Sequence, residues 1–226
     1  MSELELKEYY IGYLDILGYK ELIKQMGEEA FLAVINEAFH EIDTGFDNLA
    51  FIEMRIFSDN IVITSRADDN FDPINFISSI ITTQIFLLNG GILVRGSITK
   101  GNLHIDDKYL YGSGLIRAYE LENDIAIMPR VILDRTLENE FEKLKVVAFL
   151  FIRDYDGLVM TDYLWSIEDP QENFNYDILK NYQQVITAGL EEYKDNLKIL
   201  QKYLWCKEYH NRVYSNYEEL KQFLIP

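Results

Sequence analysis

Apolar and polar positions follow a strand-like period in some stretches and a helical one in others, and the switches between them outline the elements. Tyr9 to Leu17 is an apolar run rich in Tyr, Ile and Leu, interrupted by the carboxylate of Asp15 and ended by Gly18, which reads as a buried strand. From Glu28 to Leu49 the residues Phe31, Ile35, Phe39, Ile42, Phe46 and Leu49 recur every three or four positions, one face of an amphipathic helix. Phe51 to Phe57 and Ile61 to Thr64 have the length of strands. Ser58-Asp59-Asn60 between them favours a tight turn, so the pair predicts a hairpin with Asp59 at its tip. Pro73 suits the first turn of a second helix, whose apolar positions Ile74, Ile77, Ile81, Ile85 and Leu88 run up to Gly90-Gly91.

Ile92 to Thr99 is β-branched enough for a strand, Gly112 to Glu122 has the spacing of a short helix, and Pro129 to Leu133 returns to a strand. This order predicts an α+β architecture, an antiparallel sheet covered by helices on one side. Val146 to Ile152 and Leu158 to Leu164 predict a further hairpin around Asp154-Tyr155-Asp156-Gly157. Ile178, Tyr182, Val185, Gly189, Tyr193, Leu197, Leu200 and Leu204 then keep a period near 3.5 residues, which predicts one long packing helix. The expected division is a domain over residues 1–165 and a helical extension over 166–226 packed on it.

Composition narrows the function. Hydrophobic residues make up 48% and charged residues 26% of the 226, the balance of a globular protein. The net charge of −17 argues against a nucleic-acid partner, because phosphate backbones are bound through Lys and Arg. A polyanionic ligand would need a metal here. The single cysteine, Cys206, excludes an intrachain disulfide and fits a reducing compartment. There is no signal-like start and no window near the ~18 apolar residues of a membrane span. A cytoplasmic protein without membrane association is expected.

Asp15 is the most informative residue. Burying a carboxylate in an apolar strand is costly without a partner, and a cation is the natural one, although a strand-end Asp can also cap the following turn. Asp59 alone reads as a turn former. If the hairpin pairs beside the first strand, the two carboxylates meet, and they could hold Mg²⁺ or Mn²⁺ through oxygen ligands and substrate phosphates. His40, His104 and His210 have no second ligand at metal spacing and read as structural, and no Gly-rich phosphate loop is present.

Four ordered motifs carry a family likeness: Tyr-Leu-Asp-Ile-Leu-Gly-Tyr at 13–19, Phe-Ser-Asp-Asn-Ile-Val-Ile at 57–63, Arg-Gly-Ser-Ile-Thr-Lys-Gly at 95–101 and Tyr-Gly-Ser-Gly-Leu-Ile-Arg-Ala-Tyr-Glu-Leu-Glu at 111–122. They resemble class III nucleotide cyclases, and most closely the pyrimidine cyclases of the bacterial Pycsar antiphage system. Segments 129–133, 154–157 and 205–211 extend the resemblance over nearly the whole chain. It implies a ferredoxin-like cyclase fold in a head-to-tail homodimer whose two active sites span the interface. It implies two metal ions per site on Asp15 and Asp59, assisted by the backbone carbonyl of Ile16. The implied reaction closes UTP, or CTP, into its 3′,5′-cyclic monophosphate as a defence signal.

By the same resemblance Arg55, four residues before Asp59, and Tyr109, three before Gly112, are the base-reading positions. By themselves they read as a solvent-facing strand residue and as ordinary packing. The chain departs from other class III cyclases at Ile116 and Glu120, where those carry an Asn and an Arg that orient the ribose and stabilise the transition state. Arg95, Lys100 and Arg117 are the nearest cations in sequence, and a structural role is expected for each. Two alternatives stay open: an adenylate or guanylate cyclase of the same fold, and a non-catalytic nucleotide-binding dimerisation module.

Overall fold

The first strand, β1 (Lys7–Ile16), is the axis of the molecule, because apolar residues on both of its faces leave it stable only when covered from both sides. The structure, a computed structural model, describes residues 5–45, 52–164 and 175–226. Along the chain β1 is followed by α1 (Tyr19–Met26), α2 (Glu28–Gly45), β2 (Ile52–Phe57), β3 (Asn60–Arg66), α3 (Pro73–Asn89), β4 (Val94–Ile105) and β5 (Leu110–Tyr111). Then come α4 (Ser113–Asp124), β6 (Val131–Leu133), α5 (Arg135–Lys143), β7 (Phe151–Arg153), β8 (Val159–Thr161), α6 (Tyr176–Glu192) and α7 (Leu197–Tyr214). The sheet order is β2-β3-β1-β4-β6-β8-β7, with β5 paired to β4.

Alternation along β1 sorts its side chains between two cores. Tyr10, Leu14 and Ile16 join the main core with Ile77, Ile80 and Leu87 of α3 and Phe31 and Ile35 of α2. Tyr9, Ile11 and Tyr13 point the other way, onto Val62, Leu103 and Ala118 of α4. Each aliphatic side chain buried this way contributes about 1.5–3 kcal/mol. Helices therefore cover both faces, not the one face expected. The second contact needs glycine: a Cβ on Gly101 of β4 would lie 2.7 Å from the Gly114 Cα of α4, so backbone packs on backbone.

The sheet is mostly antiparallel, as expected, but β4 and β6 run parallel, with Gly96 opposite Val131 and Ile98 opposite Leu133. The reason is the connection, since a strand–helix–strand crossover through α4 returns the chain in the same direction. The hairpin near residue 155 is smaller than expected. Lys145–Leu150 is a 3-10 turn, and only three residues pair on each side, because a short apolar run does not by itself distinguish strand from helical turn.

The predicted long C-terminal helix is two helices. Asn196 breaks it by capping α7, its side chain accepting from the Ile199 N–H, and the stacked rings of Tyr193 and Tyr203 at 5.6 Å close the corner. Leu179, Tyr182, Ile186, Trp205 and Tyr209 belong to the same core as the sheet. The expected division at 165/166, and the positions Phe46, Leu49 and Phe51, lie outside the described residues. Among the described residues no helix is long and apolar enough to cross a membrane.

Candidate active site

Strand register builds the site at the C-terminal end of β1. Asp15 lies directly opposite Asn60 of β3 on one side and Arg95 of β4 on the other. The cross-strand guanidinium answers the carboxylate, Arg95 Nε donating to Asp15 Oδ2 at 3.1 Å. The β2–β3 hairpin, predicted with Asp59 at its tip, closes in the two-residue loop Ser58-Asp59. Ser58 is held at a φ of 56°, a left-handed conformation that is strained for a non-glycine residue. The Ile16 N–H donates to the Asp59 carbonyl at 2.8 Å, which fastens the tip to the end of β1. A relay orients the Asp59 side chain: the Tyr13 hydroxyl donates to Asn60 Oδ1 at 2.5 Å, and Asn60 Nδ2 donates to Asp59 Oδ1 at 3.1 Å.

Asp15, Ile16 and Asp59 thus come together, lining one cavity of about 390 Å³ with Gly18, Tyr19, Lys20, Glu21, Arg95 and Lys202. Gly18, at a φ of 73°, turns the chain sharply into α1, and no side chain caps that helix start. The first turn of α1 therefore opens uncapped on the cavity, an arrangement suited to phosphate.

The electrostatics show a site short of positive charge. Burial raises the Asp15 pKa; Arg95 opposes this and the nearby Asp59 adds to it. Glu122 of α4, almost fully buried, faces Arg95 Nη2 across a 2.6 Å ion pair that lacks hydrogen-bond alignment. Burial pushes its pKa up to about 7 against the pull of Arg95, with Asp15 adding to the rise.

Among the described residues no group of three or more His, Cys, Asp or Glu could enclose a metal ion on protein ligands alone. Two carboxylates with unused oxygens on an open cavity nevertheless fit a hard divalent cation. Mg²⁺ in particular is commonly held by one or two carboxylates, with water and substrate phosphate completing its shell.

Arg55 and Tyr109 are not in this cavity. Arg55, on the edge strand β2, has a buried Nε without a hydrogen-bond partner and an Nη2 3.6 Å from Glu53. Tyr109 is half exposed just before β5, its N–H donating to Asp106 at 2.7 Å. Ile116 and Glu120 are both exposed on α4. Of the three cations expected to be structural, Lys100 pairs with Glu8 and Glu140, and Arg117 pairs with Asp134. Arg95 alone of them reaches the cavity. Sequence reasoning also missed Glu122, Asn60 and Lys202. Asn60 and Glu122 left a signal, one in the turn motif and one at the end of the motif over 111–122, and Lys202 left none.

No protein-family model and no curated protein matches the sequence. Solved structures do resemble it. The monomeric guanylyl cyclase domain of the RhoGC fusion protein from the aquatic fungus Blastocladiella emersonii aligns with a TM-score of 0.50 at 10% identity, over 70% of this chain and 95% of that one. The adenylyl cyclase CyaB from P. aeruginosa gives 0.46 at 13% identity over 69% and 92%, and a bacterial light-regulated adenylyl cyclase gives 0.46 at 14% over 80% and 99%. The first likeness shows that this chain has the fold of a class III nucleotide cyclase domain.

Proposed function

We propose that the protein is a nucleotide cyclase, acting as a homodimer on a pyrimidine nucleoside triphosphate, UTP ahead of CTP, and that its product is a signal in antiphage defence. The observation that carries the reading is the meeting of Asp15 and Asp59 in one cavity beside the uncapped start of α1, within a class III cyclase fold. The defence role and the pyrimidine preference rest on the motif resemblance to the Pycsar cyclases.

In the proposed reaction the ribose 3′ oxygen bonds to the α-phosphorus, the bond to the bridging oxygen of pyrophosphate breaks, and the hydroxyl proton leaves to solvent. Two Mg²⁺ or Mn²⁺ ions, held by Asp15, Asp59 and the Ile16 carbonyl, would acidify that hydroxyl and offset charge on the leaving group. Arg95 fixes the Asp15 carboxylate and adds positive charge to the wall. The first turn of α1 presents backbone N–H groups to phosphate.

Arg55 and Tyr109 would serve the partner subunit's cavity, in keeping with their absence from the cavity of their own chain. Exposed Ile56 and Phe57 on the edge strand and Ile116 and Tyr119 on α4 offer apolar surface to such a partner. A guanidinium only donates hydrogen bonds, so Arg55 favours the O4 of uracil over the amino group of cytosine.

A non-catalytic nucleotide-binding dimer is the second reading, favoured by Ile116 and Glu120 where other class III cyclases place transition-state groups. The test is to incubate the protein with each of the four ribonucleoside triphosphates and Mg²⁺ or Mn²⁺ and identify products by mass. Cyclic UMP should dominate, and Arg55→Ala should reduce both the rate and the UTP-to-CTP selectivity. A preference for ATP or GTP would replace the pyrimidine assignment with a purine one, and nucleotide binding without any cyclic product would establish the second reading.

A further inference from the structure

Lys202 enters the cavity from outside the sheet and helices that build the rest of the site, on α7, in the region that sequence patterning treats as an extension. It lines the same space as Asp15, Asp59 and Arg95. Its ammonium makes no ion pair or hydrogen bond with any described residue. Burial lowers its pKa, and the positive charge of Arg95 lowers it further, with Asp15 acting the other way. Arg95 is already committed, Nε to Asp15 and Nη2 to Glu122. Lys20, the remaining cation on the wall, is exposed on α1. Lys202 is therefore a half-buried cation attracted by Asp15 and Glu122 but in direct hydrogen-bond or ion-pair contact with neither, facing a cavity whose other buried cation is used.

The helix that carries Lys202 is firmly seated. Trp205 Nε1 donates to Asp154 Oδ2 at 2.8 Å, the Tyr209 hydroxyl donates to Asp162 at 2.6 Å, and Arg212 Nη1 donates to Asp154 Oδ1 at 3.1 Å. The first of these anchors lies three residues from Lys202, so the root of the side chain is fixed while its end is free.

We propose that Lys202 binds the polyphosphate tail of the nucleotide, which makes α7 part of the active site. The identity of the ligand rests on the cyclase reading; the place for an anionic group rests on Lys202 and the uncapped start of α1 facing one cavity. An ammonium suits this role as a compact point charge toward phosphate oxygens. The acidic chain would otherwise repel a triphosphate.

The experiment compares the wild type with Lys202→Met, Lys202→Arg and Lys198→Met, the last altering an exposed lysine one turn away. Calorimetry measures the Kd of inorganic tripolyphosphate, with and without Mg²⁺, and of uridine. Kinetics measure KM and kcat for the preferred triphosphate, and a thermal melt confirms folding. Lys202→Met should weaken tripolyphosphate binding and raise KM by about tenfold, the scale of one charge-assisted contact. It should leave uridine binding unchanged. Lys202→Arg should recover most of the loss, and Lys198→Met should match the wild type.

Wild-type tripolyphosphate affinity in folded Lys202→Met overturns the inference. If that variant melts early, Lys202→Arg decides in its place: tripolyphosphate affinity near that of the wild type supports the inference, and loss of binding in a folded Lys202→Arg overturns it. A wild type that cyclises no nucleotide sinks the cyclase reading alone, because the tripolyphosphate titration still judges Lys202.

Discussion

Two clusters of buried charge differ in how fully their partners are supplied. Asp154, in the turn between β7 and β8, is enclosed by the Arg130 guanidinium, Trp205 Nε1 at 2.8 Å, Arg212 Nη1 at 3.1 Å and the Tyr155 N–H at 2.8 Å. Arg130 continues to Asp156. Burial alone would raise the Asp156 pKa, but Arg130 and the Leu158 N–H together bring it below the ordinary carboxylate range. At the end of β1, Asp15 has a single guanidinium contact, the Asp59 carboxylate accepts from Asn60 alone among the described residues, and both the Asp15 and the Glu122 pKa values are raised. The first cluster uses its acceptors to join the C-terminal helices to the sheet. The second keeps carboxylate oxygens unspent where a cavity reaches them, which is what a ligand-binding site requires and a structural network avoids.

The largest effect should come from breaking the satisfied cluster. Asp154→Ala leaves the buried Trp205 Nε1 without its acceptor and Arg130 with Asp156 as its remaining carboxylate, and should cost about 2–3 kcal/mol of stability, read by urea denaturation. A loss below about 1 kcal/mol would mean that the network is not what seats α7.

Asp15→Asn should behave in the opposite way. Its amide oxygen can still accept from Arg95 while the repulsion from Asp59 is relieved, so stability should stay within about 1 kcal/mol of the wild type. Cyclisation should fall by at least about 100-fold, and any rise in melting temperature on adding Mn²⁺ should disappear. Strong destabilisation would place Asp15 with the structural carboxylates instead.

Glu122→Gln should have the smallest effect, visible as a pH dependence. In the folded chain this carboxyl titrates at about 7, against 4.5 for an unperturbed Glu. Between those values the folded state keeps a proton that the unfolded state has released, so stability falls as pH rises from 4.5 through 7. Gln is neutral throughout. The variant should lose that slope and be the more stable of the two above pH 7. An unchanged slope would assign the titration to another group.

Much of the half that carries Asp15 and Asp59 was legible because its signals are local. A short apolar run marked β1, turn chemistry placed Asp59 at the hairpin tip, and Pro73 with Gly90-Gly91 bounded α3 nearly to the residue. The helices α1 and α5 escaped notice because stretches of eight and nine residues are too short to establish a helical period against their surroundings. The break between α6 and α7 was also missed, since apolar residues keep their spacing through it and only the Asn196 cap marks the stop. Arg55 and Tyr109 stood out through family likeness alone.

By itself the sequence determined most of the strands, the longer helices of the sheet region and which carboxylates stand at strand ends and turn tips, because periodicity, turn preference and the cost of burying charge act on neighbours along the chain. Tertiary structure decided the rest. Register set Arg95 opposite Asp15, close backbone packing brought α4 and Glu122 onto the second face, and the seating of α7 delivered Lys202 from far along the chain. These pairings join residues that are distant in sequence, and their energies depend on strand alignment and shared burial, quantities that do not exist until the sheet has formed and the helices have closed over it.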